Sequence, residues 1–203
     1  PVLLIGYNRP LVLKKNIKSL STIKPKNLYI FLDASKSDNL RNLELCKKTR
    51  KIASNINWKC KKNYFFSNKH YGVDKGVYAA INWFFTHVEF GIILEDDCIP
   101  SKSFFKFVTI LKKKYSKSND IGIISGTNYV STGSRYSYIF SKWPHTWGWA
   151  TWRKNWKGFK YKQTFWKKFR KTSKWEKLNA DFNEYKTFTH VFNFNLNKKK
   201  EKL

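Results

Sequence analysis

Three observations predict an α/β fold with one mostly parallel central sheet and helices on both faces. Residues 2–6, 27–32 and 91–94 are short apolar runs, the pattern of strands buried on both sides. Between them, apolar residues recur at spacings of three and four, as in helices packed on a sheet. The runs also end in polar or charged residues, and parallel sheets gather their ligands beyond the strand C-termini.

The elements follow in order. After the strand at 2–6 comes the break Tyr7-Asn8-Arg9, and Pro10 suits the first turn of a helix. Leu11, Leu13, Ile17 and Leu20 carry its stripe to about Ser21. The second strand, 27–32, ends in the polar loop Asp33-Ala34-Ser35-Lys36-Ser37-Asp38. Ser37 or Asp38 is expected to cap a helix over 39–54. A third strand is expected at 63–66. The loop 67–76 has two glycines and several polar groups but does not match the phosphate-binding pattern GxxxxGK[ST]. Val77, Ala80, Ile81, Phe84, Phe85 and Val88 predict the next helix. The strand at 91–97 follows. Phe104, Phe105, Val108 and Leu111 then mark a helix, with Asp97 or Ser101 as its cap. Lys112, Lys113 and Lys114 favour its C-terminus through the helix dipole. Residues 121–126 read as another strand and 136–143 as one more. Residues 1–126 are thus expected to form the α/β half. Residues 127–203 are expected to be a basic, aromatic half of the same domain, helical near 165–188.

A chain of 203 residues suffices for one large α/β domain or two small ones. Its 41% hydrophobic and 18% aromatic content implies a packed core rather than disorder. Against 13 Asp+Glu there are 41 Lys+Arg, a formal charge of +28. Such a charge invites a nucleic-acid reading and attracts phosphates and anionic membranes. The lysines are nevertheless spread among Asn, Ile, Phe and Tyr, which share AT-rich codons, so genome composition is a sufficient source for much of the charge. Cys46, Cys60 and Cys98 show no CxxC spacing, which suggests a reducing compartment and no structural zinc. No apolar run approaches the ~18 residues of a spanning helix. The expected location is the cytoplasm, with peripheral contact at the inner membrane face.

In a chain so poor in acids, Glu95, Asp96 and Asp97 stand side by side at a strand end. Adjacent carboxylates repel one another and lose solvation there, so a cation is expected beside them, either a metal or basic side chains. Mg²⁺ and Mn²⁺ take carboxylate oxygens and bridge to substrate phosphates. An acidic turn that merely opens the next helix is the simpler reading. The rule for strand ends gathers Arg9, Asp33, the loop 68–76 and Glu95-Asp96-Asp97 onto one rim.

Several blocks resemble the nucleotide-diphospho-sugar transferase, or GT-A, fold, and in particular bacterial glycosyltransferases related to N-acetylglucosaminyltransferase I. They are Leu4-Ile5-Gly6-Tyr7-Asn8-Arg9-Pro10, Leu32-Asp33, Ile93-Leu94-Glu95-Asp96-Asp97 with Pro100 and Phe104-Phe105, Ile124-Ser125-Gly126, and Trp147-Gly148-Trp149-Ala150-Thr151-Trp152. The resemblance implies a metal-dependent glycosyltransferase that takes a nucleoside-diphosphate sugar, a UDP-sugar, to a glycan, lipid-linked or protein acceptor. By that resemblance residues 1–126 bind the sugar nucleotide and 127–203 lie on the acceptor side. Asp97 would hold Mn²⁺ or Mg²⁺ on the diphosphate. Glu95 and Asp96 would reach the ribose or donor sugar, Asp33 the base and Arg9 the phosphates. The loop Asp33-Ala34-Ser35 departs from the Asp-Gly-Pro often seen in these relatives.

Simpler roles stay open. An ion pair within the rim would also account for Arg9, and a turn for Asp33. His70 and Lys75 read as surface residues, Cys98 as a small buried one, and Trp147, Trp149 and Trp152 as core. Gly148, between two tryptophans, suggests close approach of a ligand. Inverting transfer needs a carboxylate base, which the resemblance places after the Trp-Gly-Trp block in a Trp-Asp setting. After Trp152 the chain has Glu176, Asp181, Glu184 and Glu201, none in that setting. The base segment is therefore expected to be absent, leaving Asp181 and Glu184 as candidates, and transfer by this chain alone is expected to be poor. Two rivals remain: a nucleic-acid-binding module, favoured by the charge and the Lys-, Trp- and Tyr-rich last third, and an inactive scaffold of the same fold.

Overall fold

The computed structural model describes residues 1–36, 39–127, 135–161 and 165–200, with side chains described to residue 194. They divide into two compact units, Pro1–Gly158 and Phe159–Leu203.

The first unit carries β1 (Val2–Gly6), α1 (Pro10–Ile23), β2 (Asn27–Leu32), α2 (Leu40–Ser54), β3 (Lys61–Phe66) and α3 (Val73–His87). It continues with β4 (Phe90–Glu95), α4 (Lys102–Tyr115), β5 (Ile123–Ser125), β6 (Trp149–Trp152) and the single turn α5 (Arg153–Trp156). The strands form one sheet in the order β3-β2-β1-β4-β6-β5. β1 pairs in parallel with β2 and β4, and β2 with β3. β6 runs antiparallel to both β4 and β5, so among the described strands it alone is reversed. The predicted α/β class with a mostly parallel sheet holds.

Burial on both faces explains the unbroken apolar runs. Val2 and Leu4 of β1 join a cluster with Leu13 and Leu20 of α1, Ala53 of α2 and Leu111 of α4. Leu3 and Ile5 turn the other way, to Ala80, Ile81, Phe84 and Phe85 of α3. Each such buried Val, Leu, Ile or Phe side chain stabilises the fold by about 1.5–3 kcal/mol. Gly91 interrupts the β4 run for a steric reason: a Cβ there would lie 2.1 Å from Cζ of the fully buried Phe84. The Phe84 ring lies directly on the strand backbone.

Local signals set the helix ends. Pro10 occupies the first turn of α1, and Lys24, with φ of 53°, closes it by donating to Leu20 O at 2.8 Å. Ser101 caps α4 by accepting from Phe104 N at 3.2 Å. The cap of α2 is Asn39, whose side chain accepts from Asn42 N at 3.1 Å. This replaces Ser37 and Asp38, which lie outside the described residues.

Two expectations after residue 126 change. Residues 136–143 form no strand; the strand is β6, at the end of the tryptophan block. It inserts between β4 and β5 and brings residues 149–152 into the first unit, so the division expected after residue 126 falls inside that unit. In the second unit the helical pattern resolves into α6 (Trp166–Phe169), α7 (Ser173–Leu178) and α8 (Phe182–Lys200). Its small core is aromatic: the Trp166 and Trp175 rings meet edge-on at 4.7 Å, and Phe192 lies 4.9 Å from Trp166. Among the described residues no helix is long and apolar enough to cross a membrane.

Candidate functional site

The acidic turn is shaped by a residue distant in sequence. β4 ends at Glu95, and Cys98 N donates to Glu95 O at 3.0 Å to close the turn. Asn16, fully buried on α1, places its amide nitrogen 2.8 Å from Cys98 O and 3.1 Å from Glu95 O. The turn's carbonyls therefore point back into the helix layer, and its carboxyl groups face the rim. Burial pushes the Cys98 thiol up to about 12, so it stays a neutral thiol, as its reading as a small buried residue implies.

Arg9 reaches this turn from the loop after β1. Its guanidinium holds Asp96 through two nitrogens, Nη2 on Oδ1 and Nε on Oδ2 at 3.2 Å. Nη1 donates to Asp97 Oδ2 at 3.0 Å. The Asp96 side chain is 2% exposed, whereas those of Arg9 and Asp97 are 48% and 40% exposed. One end of the network is thus buried and the other open to solvent. Trp147 closes it from the tryptophan block, donating Nε1 to Asp97 Oδ1 at 3.2 Å.

Arg9, Asp96 and Glu95 line a cavity of about 260 Å³ together with Asp33 and His70. Its volume lies just below the usual range of small-molecule sites. It sits at the C-terminal ends of the parallel strands, where β1, β2 and β4 end side by side. Asp33, just past β2, is buried, and its carboxylate is fully engaged. Oδ1 accepts from Ala34 N and Tyr71 N, both at 2.9 Å, and Oδ2 from Gly72 N at 2.9 Å. His70 Nδ1 lies 2.8 Å from Ala34 O and 3.2 Å from Asp33 Oδ2. Asp33 therefore ties the loop before α3 to the end of β2. Gly72, with φ of 75°, adopts the turn that aims its N–H at this carboxylate.

The rim predicted from the sequence is present: Arg9, Asp33, Glu95, Asp96 and part of the 68–76 loop meet at one cavity, with Asp97 on the same ion-pair network. The ion pair foreseen as the simpler role of Arg9 is formed. His70, read as a surface residue, lines the cavity, while Lys75 is not among its lining residues. The three tryptophans divide. Trp149 and Trp152 are buried in the core, and Trp147, 52% exposed, bonds to Asp97. Gly148 has φ of 73°, and its carbonyl accepts from Gly126 N at 2.8 Å; its glycine serves this backbone turn. Asp181 and Glu184 belong to the second unit. Asp181 Oδ1 accepts from Asn183 N at 2.8 Å and Glu184 N at 2.9 Å, and Glu184 Oε2 accepts from Ala180 N. Together they start α8 in the manner of a capping box.

Charge at the turn is unevenly balanced. Burial lifts the Glu95 carboxyl above its ordinary value of 4.5, with Asp97 and Asp96 repelling it further. Burial also lifts Asp96, against the pull of Arg9. Asp97 goes the other way: burial would raise it, but the bonds from Trp147 and Arg9 outweigh that and lower it. A carboxyl raised on folding contributes stability that is complete below its unfolded value and is lost as pH rises through the folded one. At neutral pH, ionised Glu95 therefore costs stability. Glu95→Gln is expected to raise the melting temperature at pH 7 by the equivalent of about 0.5–1 kcal/mol. The gap should close as pH falls toward 4.5, which thermal unfolding of both proteins across that range would measure. An equal gap at every pH would remove the proposed cause.

Among the described residues no group of three His, Cys, Asp or Glu is arranged to hold a metal ion. Asp97 nonetheless fits the needs of a hard divalent ion. It is partly exposed, its lowered pKa keeps it ionised, and its Oδ2 retains a lone pair beside the contact from Arg9. Mg²⁺ is commonly held by one or two carboxylates, with waters and substrate phosphates supplying the rest.

No family model matches the chain. No curated protein matches it either. Among solved structures it is similar to 4-diphosphocytidyl-2C-methyl-D-erythritol synthase from Anaerococcus prevotii DSM 20548, at 11% identity. The overlap covers 95% of this chain and 84% of that one, with a TM-score of 0.41. A superposition that loose assigns no chemistry, and the site stands on its own residues.

Proposed function

We propose that the first unit binds a nucleoside-diphosphate sugar at the Arg9–Asp33–Glu95 cavity and serves metal-dependent glycosyl transfer. The observation that carries this reading is the Arg9 network: a guanidinium and adjacent carboxylates beside a cavity at the parallel strand ends. A guanidinium matches phosphate oxygens with two parallel donors. Its partial exposure leaves it able to reach them. Asp97 would hold Mn²⁺ or Mg²⁺, which when bound neutralises the charge of the diphosphate leaving group. Glu95 lines the cavity and faces the ribose or donor sugar. The engaged carboxylate of Asp33 acts on the base through the 70–72 loop that it fixes. The sequence resemblance supports a UDP-sugar as donor and a glycan, lipid-linked or protein acceptor. No residue of the first unit is assigned as the base.

The test is calorimetry of the full chain with UDP-GlcNAc and UDP, with and without Mn²⁺. Metal-dependent binding is expected, and Asp97→Ala should weaken it about ten- to a hundredfold, the value of one charge-assisted contact. A bound ligand at 100 times its Kd also adds about 2.7 kcal/mol of stability, visible as a thermal shift. Unchanged binding in Asp97→Ala would remove the metal assignment. A thermal shift with an oligonucleotide but none with either nucleotide would favour the nucleic-acid module instead.

A further inference from the structure

A second groove of about 590 Å³ opens in the first unit between α4, the edge strand β5 and the segment from Tyr136 to His145. It shares no lining residue with the first cavity and is more than twice its size. Its chemistry is unlike the rest of the molecule. In a chain with 41 Lys+Arg, none of the residues lining it is Lys, Arg, Asp or Glu. Its walls alternate aromatic rings, among them Phe107, Tyr138 and Phe140, with the hydroxyls of Ser103, Ser125 and Ser137.

The rings are held in place before any ligand arrives. Tyr115 and Tyr138 share a hydrogen bond of 2.6 Å between their hydroxyls, and Lys114 Nζ donates to Tyr138 from outside the groove at 2.7 Å. Tyr138 meets Phe140 at 5.7 Å and Phe107 at 6.3 Å, both edge-on. Tyr115 meets Phe140 at 6.0 Å in the same way. Phe140 is 67% exposed and Tyr136 82% exposed, so large apolar surfaces remain open to solvent at the groove. Groups already ordered lower the entropy cost of binding.

We propose that this groove binds a neutral saccharide. The negative face of an aromatic ring suits the C–H face of a pyranose, and serine hydroxyls can both donate to and accept from sugar hydroxyls. A nucleic acid would need a row of cations lining the groove, and an acyl chain would make no use of the acceptor lone pairs that Ser103 and Ser125 keep beside their bonds to Ser101 and His145. The proposal goes beyond the nucleotide reading and does not depend on it.

The experiment is saturation-transfer NMR on the full chain with cellobiose, lactose, maltose and N,N′-diacetylchitobiose, each up to about 10 mM to capture weak binding. Transfer to at least one disaccharide is expected. Phe140→Ala should weaken it tenfold or more and Tyr136→Ala severalfold. Both side chains are mostly exposed, so both variants should fold, which calorimetric unfolding checks. UDP binding in the presence of Mn²⁺ is measured in parallel and should not change in either variant. The proposal is overturned by no transfer to any of the four, by transfer that survives in both variants, or by a decanoate or oligonucleotide probe that displaces nothing yet loses binding in Phe140→Ala.

Discussion

Arg9→Met is expected to lower the stability of the first unit by about 2–3 kcal/mol. Removing one partner of a buried ion pair typically costs about 3–5 kcal/mol, because the remaining charge is left without compensation. The value here is smaller because Arg9 is itself about half exposed and water screens the pair. The cost falls on Asp96, whose side chain is 2% exposed and loses both of its guanidinium contacts. Its carboxyl, already lifted by burial, should then take up a proton more readily. A double-mutant cycle identifies the cause. Adding Asp96→Asn to Arg9→Met should restore most of the loss, since a neutral amide has no charge to compensate. If the double variant were as unstable as the sum of the single ones, the buried charge would not be the source. The same Arg9→Met protein should lose UDP binding at least tenfold, because the guanidinium charge and the N–H groups not engaged by Asp96 and Asp97 are gone.

Trp175→Ala is expected to be the most destabilising single change in the second unit. Trp175 is 1% exposed, the largest fully buried side chain of the described residues. It touches Trp166, Phe169, Tyr185 and Phe192, and its indole N–H donates to Thr189 at 2.9 Å. It therefore joins α6, α7 and α8 at one point. Truncating a buried Trp to Ala costs about 3–5 kcal/mol through lost transfer energy and the cavity left behind. A unit of this size has little stability in reserve. Hydrogen exchange of the α8 amides should accelerate by two or more orders of magnitude, and trypsin should cut at Lys167, Lys168 and Lys171. Trp166→Phe, which keeps an aromatic ring in the core, should show a much smaller effect. Unaltered protection of α8 in Trp175→Ala would mean that another contact holds the unit.

The sequence by itself determined the strand polarity and the rim. The buried runs at 2–6, 27–32 and 91–94 need both faces covered, and helical stripes between them supply the covers; only a parallel sheet satisfies both. Strand polarity then places Arg9, Asp33 and Glu95 at the same end, because each follows its strand directly. Pro10 fixed a helix start through its ring-locked φ, and Ser101 through a bond from Phe104, three residues on. Tertiary structure decided what depends on distant partners. β6 pairs with β4 across more than fifty residues, and no local pattern marks a strand that enters between two others. The three tryptophans of the block look alike in sequence. Strand pairing buries Trp149 and Trp152 in the core, while Trp147 precedes the strand and remains at the surface beside Asp97. His70 sits in a loop without periodicity, and the Ala34 carbonyl and Asp33 carboxylate, distant in sequence, bring it to the cavity. The acids Asp181 and Glu184 had the right chemistry for a base, but the first turn of α8 holds both carboxylates.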